Sequence, residues 1–307
     1  MDNRQFDYFL KVVEEKSFSK AAKLLYISQP SLSQYIGRLE ASLGTTLFDR
    51  SSSPLTLTYA GEIYLETILK IKTLQTEMKN KLEDIEDLKN GFIKIGLTPS
   101  KANFYLPTIL PIFKNKYPGI EIKISEGTSA ELEMMLGKGL VDLCLMNMPI
   151  EKSPYEIEYE PFYEENIYLA APHDYDVPSK PSAAVYPQVK IEELNDKPFI
   201  LLKQDQRLRQ VSTYVFTKAA IKPKVILETR SIETSLRLCS AGMGYCFVPE
   251  SALGYASPNA RPKFFTIGSP PLTWRLVIAY KKNSHRSKAA DAFAEIVKET
   301  VLQGSVR

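Results

Sequence analysis

The chain has 307 residues, 44% apolar and 24% charged, close to a globular average, so neither wholesale disorder nor a fibre fits. Its 39 basic and 36 acidic side chains leave a net charge of +3, too little to name a nucleic-acid or acidic-substrate partner by itself. No apolar run reaches the ~18 residues of a bilayer span, and the charged opening MDNRQFDYFLKVVEEK lacks the apolar core of a secretory signal. A soluble, cytoplasmic chain of about two domains, with no membrane partner, is expected.

The first specific signal is the run from Phe18 to Arg50. Phe18 to Leu25 reads as a short helix with Ala21 and Ala22 on its inner face, and Tyr26-Ile27 as a turn. Ser28 is a natural N-cap, and Pro30 falls in the first turn of the next helix, where its missing N–H costs nothing. Leu32, Ile36 and Leu39 then recur at helical spacing and bury one face. The opposite face carries Gln29, Ser31, Ser33, Gln34 and Arg38. A helix–turn–helix (about 18–37) lays such a second helix in the major groove. There Gln pairs with adenine, Ser with several bases, and Arg with guanine or phosphate. An ordinary helical hairpin with a solvated polar face is the competing reading. Local charge opposes it: Lys16, Lys20, Lys23, Arg38 and Arg50 face only Glu40 and Asp49 between Lys16 and Gly61, and no acid lies between Lys16 and Leu39. A phosphate-facing surface needs this local absence of carboxylates. The expected DNA-contacting set is therefore Lys20, Ser28, Gln29, Pro30, Ser31, Ser33, Gln34, Arg38 and Arg50.

From Thr58 to Asn90 there is no proline and one glycine, Gly61. Alternate steps of three and four residues from Leu57 meet Ala60, Tyr64, Thr67, Ile71, Leu74, Met78, Lys81, Ile85 and Leu88. This is a coiled-coil seam with a polar exterior. A helix of about 50 Å with so narrow an apolar stripe needs a partner, most simply the same helix of a second copy. Asn90-Gly91 supplies a stop.

From Phe92 short apolar runs alternate with helical stretches, which predicts an α/β domain with mostly parallel strands. Strands are expected at 92–98, 120–125, 141–146, 198–202, 224–228 and 245–249, with helices beginning near Ser100, Ser129, Arg207 and Ser231. The segments 156–171 and 263–268 read as long strands able to run between subdomains. A strand in LTWRLVIAYKK and a helix in KAADAFAEIVKETV follow. The loop 178–190 reads as a surface connection.

Ligands of an open parallel sheet lie beyond the carboxyl ends of its strands, and free helix N-termini there attract anions. Thr98, Pro99, Ser100, Thr128, Ser129 and Asn147 are the candidates on one side. Lys203, Gln204, Ser231 and Pro249 are those on the other, with Lys203 as a second anion contact. Plain helix capping is the bland alternative for each. Three cysteines, Cys144, Cys239 and Cys246, each lie among apolar residues and read as buried thiols, with a Cys239/Cys246 redox switch as the sharper alternative. His173 and His285 read as surface or loop residues, so a histidine-based metal site is not expected, and no cofactor is expected either. No dinucleotide fingerprint, Walker loop, nucleophile elbow or zinc-protease motif is present, which disfavours an enzyme.

The N-terminal run resembles the signature of LysR-type transcriptional regulators. Ala21, Ala22, Leu25, Ser28, Gln29, Pro30, Ser33, Ile36, Leu39, Glu40, Leu43, Gly44, Leu47, Phe48 and Arg50 stand where that pattern has them, and Leu57 to Gly61 matches its hand-over to the linker helix. The resemblance implies an α+β multidomain chain. It would carry a winged helix–turn–helix (1–58), a dimerising linker helix (59–90) and a two-subdomain effector domain (91–307) similar to periplasmic solute-binding proteins. Subdomain I would take about 91–162 and 268–307, subdomain II about 163–267. It further implies dimers paired into tetramers that bend promoter DNA, a small effector, often a carboxylate, near Thr98, Ser100, Thr128 and Ser231, and RNA polymerase as a partner of an activator. Two departures stand out: Gln34 replaces a frequent Arg, with Tyr35 beside it, and the wing SSSPL (51–55) lacks basic residues. Fewer phosphate contacts imply a shallower salt dependence and weaker non-specific binding.

Overall fold

The computed structural model describes residues 3–52, 54–83, 91–256 and 261–304, in two compact units, Met1–Lys79 and Asn80–Arg307. The first unit holds α1 (Asn3–Glu15), α2 (Phe18–Leu24), α3 (Gln29–Leu43), the short strands β1 (Phe48–Asp49) and β2 (Thr56–Leu57), and most of α4 (Tyr59–Glu83). Serine hydroxyls start two of these helices. Ser17 accepts the Lys20 N–H at 3.4 Å and Ser28 the Ser31 N–H at 3.2 Å, which satisfies donors that a helix start leaves open. Gly44 ends α3 in the left-handed conformation, at φ 67°. Phe6, Phe9, Val12, Ala21, Leu32 and Ile36 form the core, each large side chain contributing about 1.5–3 kcal/mol by burial. β1 and β2 pair antiparallel as a small wing.

The helix α4 corrects part of the expectation for the linker. Ile68 is buried, and Ala60, Tyr64, Leu65 and Ile71 pack partly against the same core, so the first turns of the seam are covered by their own head. Leu74 and Met78, further along the seam, are 64% and 60% exposed. Ile85, Leu88 and the stop at Asn90 lie outside the described residues.

The second unit runs β3 (Gly91–Leu97), α5 (Pro99–Lys116), β4 (Ile120–Glu126), α6 (Ser129–Gly137), β5 (Leu143–Asn147), β6 (Ile157–Ala171), β7 (Ser179–Lys180), β8 (Gln188–Val189), β9 (Pro198–Leu202), α7 (Arg207–Lys218), β10 (Lys224–Thr229), α8 (Ile232–Ser240), β11 (Cys246–Pro249), β12 (Lys263–Ile267), β13 (Thr273–Lys281) and α9 (Lys288–Leu302). One half orders its strands β4-β3-β5-β13-β6, with β3, β4 and β5 parallel and β13 antiparallel to β5 and β6. α5 and α9 pack on one face of this sheet and α6 on the other. The other half grows on the far end of β6, where residues 167–171 pair antiparallel with β11 and β12. β9 and β10 are parallel, and a bridge between Phe199 and Tyr245 places them beside β11.

The sheet is thus mixed, not mostly parallel: the strands that join the two halves are antiparallel. β6 is the long crossing strand, pairing with β13 over 157–166 and with β11 and β12 beyond it. The segment 263–268 does not cross. Among the described residues β12 pairs only with β6 and β8 inside the second half, and β13 makes the return. The loop 178–190 also carries β7 and β8.

Candidate nucleic-acid interface and ligand cleft

On α3 the buried side chains are Leu32, Ile36 and Leu39, so their spacing turns Gln29, Pro30, Ser31, Gln34 and Arg38 outward, all of them exposed, with Ser33 half-buried. The Ser28 hydroxyl caps the helix and lies 2.7 Å from the Ser31 hydroxyl, so the pair orders the helix start, leaving Gln29 as the first uncommitted side chain. Lys20 on α2 is exposed. Arg50 is engaged within the head. Its guanidinium lies 3.0 Å from Glu40 and 5.4 Å from the centre of the Phe18 ring. Glu40, nearly buried, also accepts the Leu47 N–H at 2.7 Å and the Phe48 N–H at 3.2 Å. Arg50 and Glu40 therefore tie α3 to the wing strand, and half of the Arg50 side chain stays exposed. The sequence placed Glu40 in a family pattern without revealing this task, which becomes legible only when the backbone donors of the wing are placed.

In the second unit, helix starts from both halves converge on a cleft of about 500 Å³, within the usual range for small-molecule sites. Of the ten expected residues, Thr98, Pro99, Ser100, Thr128 and Ser231 line it. The other five do not. Ser129 sits within the first turn of α6, Asn147 is buried at the end of β5, and Pro249 is buried in β11. Lys203 is exposed outside the cleft, and Gln204 lines a separate groove with Ile150 and Tyr214. The strand ends deliver the following helix caps to the cleft, whereas residues still in strand register are covered by neighbouring layers. The cation of the cleft is Arg230, in a 2.8 Å ion pair with Asp205, instead of Lys203.

The helix starts are not equivalent. Thr128 accepts the Glu131 N–H at 3.3 Å, and the Glu131 carboxylate accepts the Thr128 N–H at 2.7 Å and its hydroxyl at 2.9 Å. These hydrogen bonds hold the Glu131 carboxyl below its ordinary value. Ser231 accepts the Thr234 N–H at 3.1 Å on α8. At α5, Thr98 makes no such side-chain cap; its hydroxyl lies 3.3 Å from that of Ser100. The α5 start therefore keeps its first-turn N–H groups and one of the two hydroxyl protons available to an anion.

Sequence reasoning missed Glu126, Glu131, Gln206, Glu233 and Tyr255 in the lining. Thr128-x-x-Glu131 was a readable capping box. Glu126 is the last residue of β4, one beyond the expected strand end. Tyr255 lies in a short 3-10 turn, Glu250–Tyr255, that no periodicity announces.

One buried and one part-buried ion pair lie beside the cleft. Glu165, 1% exposed on β6, receives Lys101 from α5 at 3.0 Å, the Trp274 indole N–H at 2.6 Å and the Ser251 N–H at 2.8 Å. Burial pushes the Glu165 carboxyl up, but Lys101 and the hydrogen bonds from Ser251 and Trp274 outweigh it and leave the carboxyl below its ordinary value. Arg207 at the start of α7 meets Glu133 of α6 at 3.0 Å, joining the two halves of this unit.

All three cysteines are buried. The neighbouring Cys246 thiol and burial push the Cys239 thiol well up, away from the reactive thiolate. His173 and His285 are exposed. Among the described residues no cluster of potential metal ligands occurs, and no helix is long and apolar enough to cross a membrane.

A winged helix–turn–helix followed by a two-halved α/β unit with a cleft defines a DNA-binding transcriptional regulator with an effector-binding domain. Residues 3–62 match the bacterial regulatory helix-turn-helix protein model of the lysR family, and residues 86–302 match the LysR substrate binding domain. The chain is 31% identical to the uncharacterized HTH-type transcriptional regulator YcgK of Bacillus subtilis, across 99% of this chain and 96% of that one. It is 30% identical to the HTH-type transcriptional regulator AlsR of the same organism, across 93% and 92%. Among solved structures, a C206 mutant of Corynebacterium glutamicum OxyR is similar, with a TM-score of 0.62 and 25% identity over 99% of this chain and 93% of that one. The chain belongs to the LysR family of transcriptional regulators.

Proposed function

We propose that a small effector binds between the two halves of the second unit and shifts the population of their arrangements, and that this shift alters how paired heads engage promoter DNA. The observation that carries this reading is the convergence of Thr98 and Ser100, Thr128, and Ser231 on one cleft, from helices of both halves. A ligand held by both halves favours one closure over another, and it biases the switch only through different affinity for the two. Gln29, Ser33 and Gln34 would read base edges, while Lys20, Ser31 and Arg38 hold phosphates. Leu74 and Met78 would pair the α4 helices of two copies. A tetramer of two such pairs, and contact with RNA polymerase where the effect is activation, complete the proposal.

A redox mechanism through Cys239 and Cys246 has less support, because both thiols are buried and the Cys239 thiol is held protonated.

The test is a thermal-shift screen of a mixed metabolite library on the full chain, since any binder of the folded state raises its midpoint in a concentration-dependent way. A binder whose affinity falls about tenfold in Ser100→Ala or Thr98→Val, while DNA binding is kept, supports the cleft. Binders indifferent to both substitutions, or loss of DNA binding in both folded variants, would overturn it.

A further inference from the structure

We infer that the effector is a zwitterion, with one carboxylate at the start of α5 and one ammonium or guanidinium facing Glu126 and Glu233; this rests on the cleft reading above and names its ligand class. A simple anion would be the expectation from helix starts alone. The lining says otherwise. Three carboxylates, Glu126, Glu131 and Glu233, face the cleft against one guanidinium, Arg230. Arg230 is already paired with Asp205, so it brings little unspent positive charge. A second anionic group on the ligand would meet these carboxylates, and like charges at close range repel.

The polarity of the cleft has a direction. Its receptive end for an anion is α5, where the first-turn N–H groups lack a side-chain cap and no acidic residue lies in the first turn. At α6 and α8 the equivalent donors are taken by Thr128 with Glu131 and by Ser231. The negative end begins one strand away. Leu97 and Glu126 are paired at the ends of the parallel strands β3 and β4, so Glu126 stands about one strand spacing from the chain that leads into Thr98. Glu131 is committed to its cap, and Glu233 shares its charge with Arg237 at 2.9 Å. Glu126 is exposed and is the carboxylate with the fewest commitments.

A second observation points to a ligand. The Tyr255 hydroxyl oxygen is buried in the cleft wall and has no hydrogen-bond partner among the described residues. Buried polar atoms are nearly always paired. Its phenol lies near Glu233, so an ammonium drawn to that carboxylate would lie beside the unpartnered hydroxyl and neutralise the carboxylate. The volume suits a ligand of amino-acid size or somewhat larger. The class is therefore amino acids and short amino-carboxylates.

The experiment exposes the full-length protein to four pools in a thermal-shift assay, followed by calorimetric titration of each hit. The pools are the twenty protein amino acids with 4-aminobutanoate and 5-aminopentanoate; mono- and dicarboxylates without nitrogen; putrescine, cadaverine and spermidine; and neutral sugars and nucleosides. The inference expects hits only in the first pool, about tenfold weaker binding in Glu126→Gln and again in Ser100→Ala, and loss of binding when the amine of the hit is acetylated. A hit from another pool that Ser100→Ala weakens overturns the zwitterion and leaves the cleft standing. A first-pool hit indifferent to Glu126→Gln but weakened by Ser100→Ala does the same. No hit, or a hit indifferent to both variants, overturns the cleft along with it.

Discussion

Replacing Glu165 by Gln tests whether the brace behind the cleft holds α5 in place. Glu165 is 1% exposed and accepts three hydrogen bonds, from Lys101, Trp274 and the Ser251 backbone. In Glu165→Gln the Lys101 ammonium, itself 4% exposed, loses its counter-charge inside the protein. Breaking one partner of such a buried pair costs about 3–5 kcal/mol. At about 2–4 °C per kcal/mol for a domain of this size, the melting midpoint should fall by about 6–20 °C. The double substitution Lys101→Met with Glu165→Leu should recover much of that loss, because no lone charge is then buried. Circular dichroism measures both, and Trp274, the one tryptophan of the chain, reports the same site by fluorescence in the wild type. The sign with pH follows from a depressed carboxyl. The Glu165 contribution is complete above the ordinary value of 4.5 and is lost as the pH falls through the lower folded value. The gap between wild type and Glu165→Gln should therefore close in acid. A midpoint unchanged at neutral pH, or a gap that persists once the carboxyl is protonated, would refute the argument.

Three further outcomes are expected. A Cβ added at Gly61 would lie 2.0 Å from the Leu47 carbonyl oxygen, so Gly61→Ala should destabilise the head by about 1–3 kcal/mol or more, the cost of forced overpacking, whereas Gly37→Ala, with nothing within 4 Å, should not; unfolding of both variants decides. Leu74→Glu with Met78→Glu places charge on the exposed stretch of α4 and should convert pairs to single chains in analytical ultracentrifugation without lowering helix content; an unchanged mass removes the seam from the account. Cys239 and Cys246 should resist both a thiol reagent and peroxide in the folded protein, and rapid modification with altered DNA binding would restore the redox mechanism.

Much of this was legible in the sequence because its causes are local. Ser28 and Pro30 fix the start of α3, and Leu32, Ile36 and Leu39 settle which face is exposed; neither needs distant information. The strand-to-helix junctions at Thr98, Thr128 and Ser231 carry their own capping chemistry, so their convergence followed from the rule for strand ends. What stayed hidden depends on partners far along the chain. The Arg50–Glu40 pair was not legible, because Glu40, ten residues away, is brought to Arg50 only by the wing. Lys203 looked like the cationic contact, yet Arg230 is the one that the turn before α8 brings to the rim. The buried carboxylate of Glu165 needs Lys101 and Trp274, 64 and 109 residues distant, to be tolerable at all. Antiparallel pairing of β6 with β13 was likewise invisible, since apolar strand runs do not encode direction.

The most direct test of the central claim is selection of preferred duplexes from a random pool, followed by anisotropy titrations over a range of salt with wild type, Gln29→Ala and Lys20→Ala. The account predicts that Gln29→Ala relaxes sequence preference by about 1–3 kcal/mol and leaves the salt slope alone, and that Lys20→Ala weakens all duplexes alike with a slope lower by about 1. An unselective wild type, or a Gln29→Ala variant with undiminished preference, would contradict it.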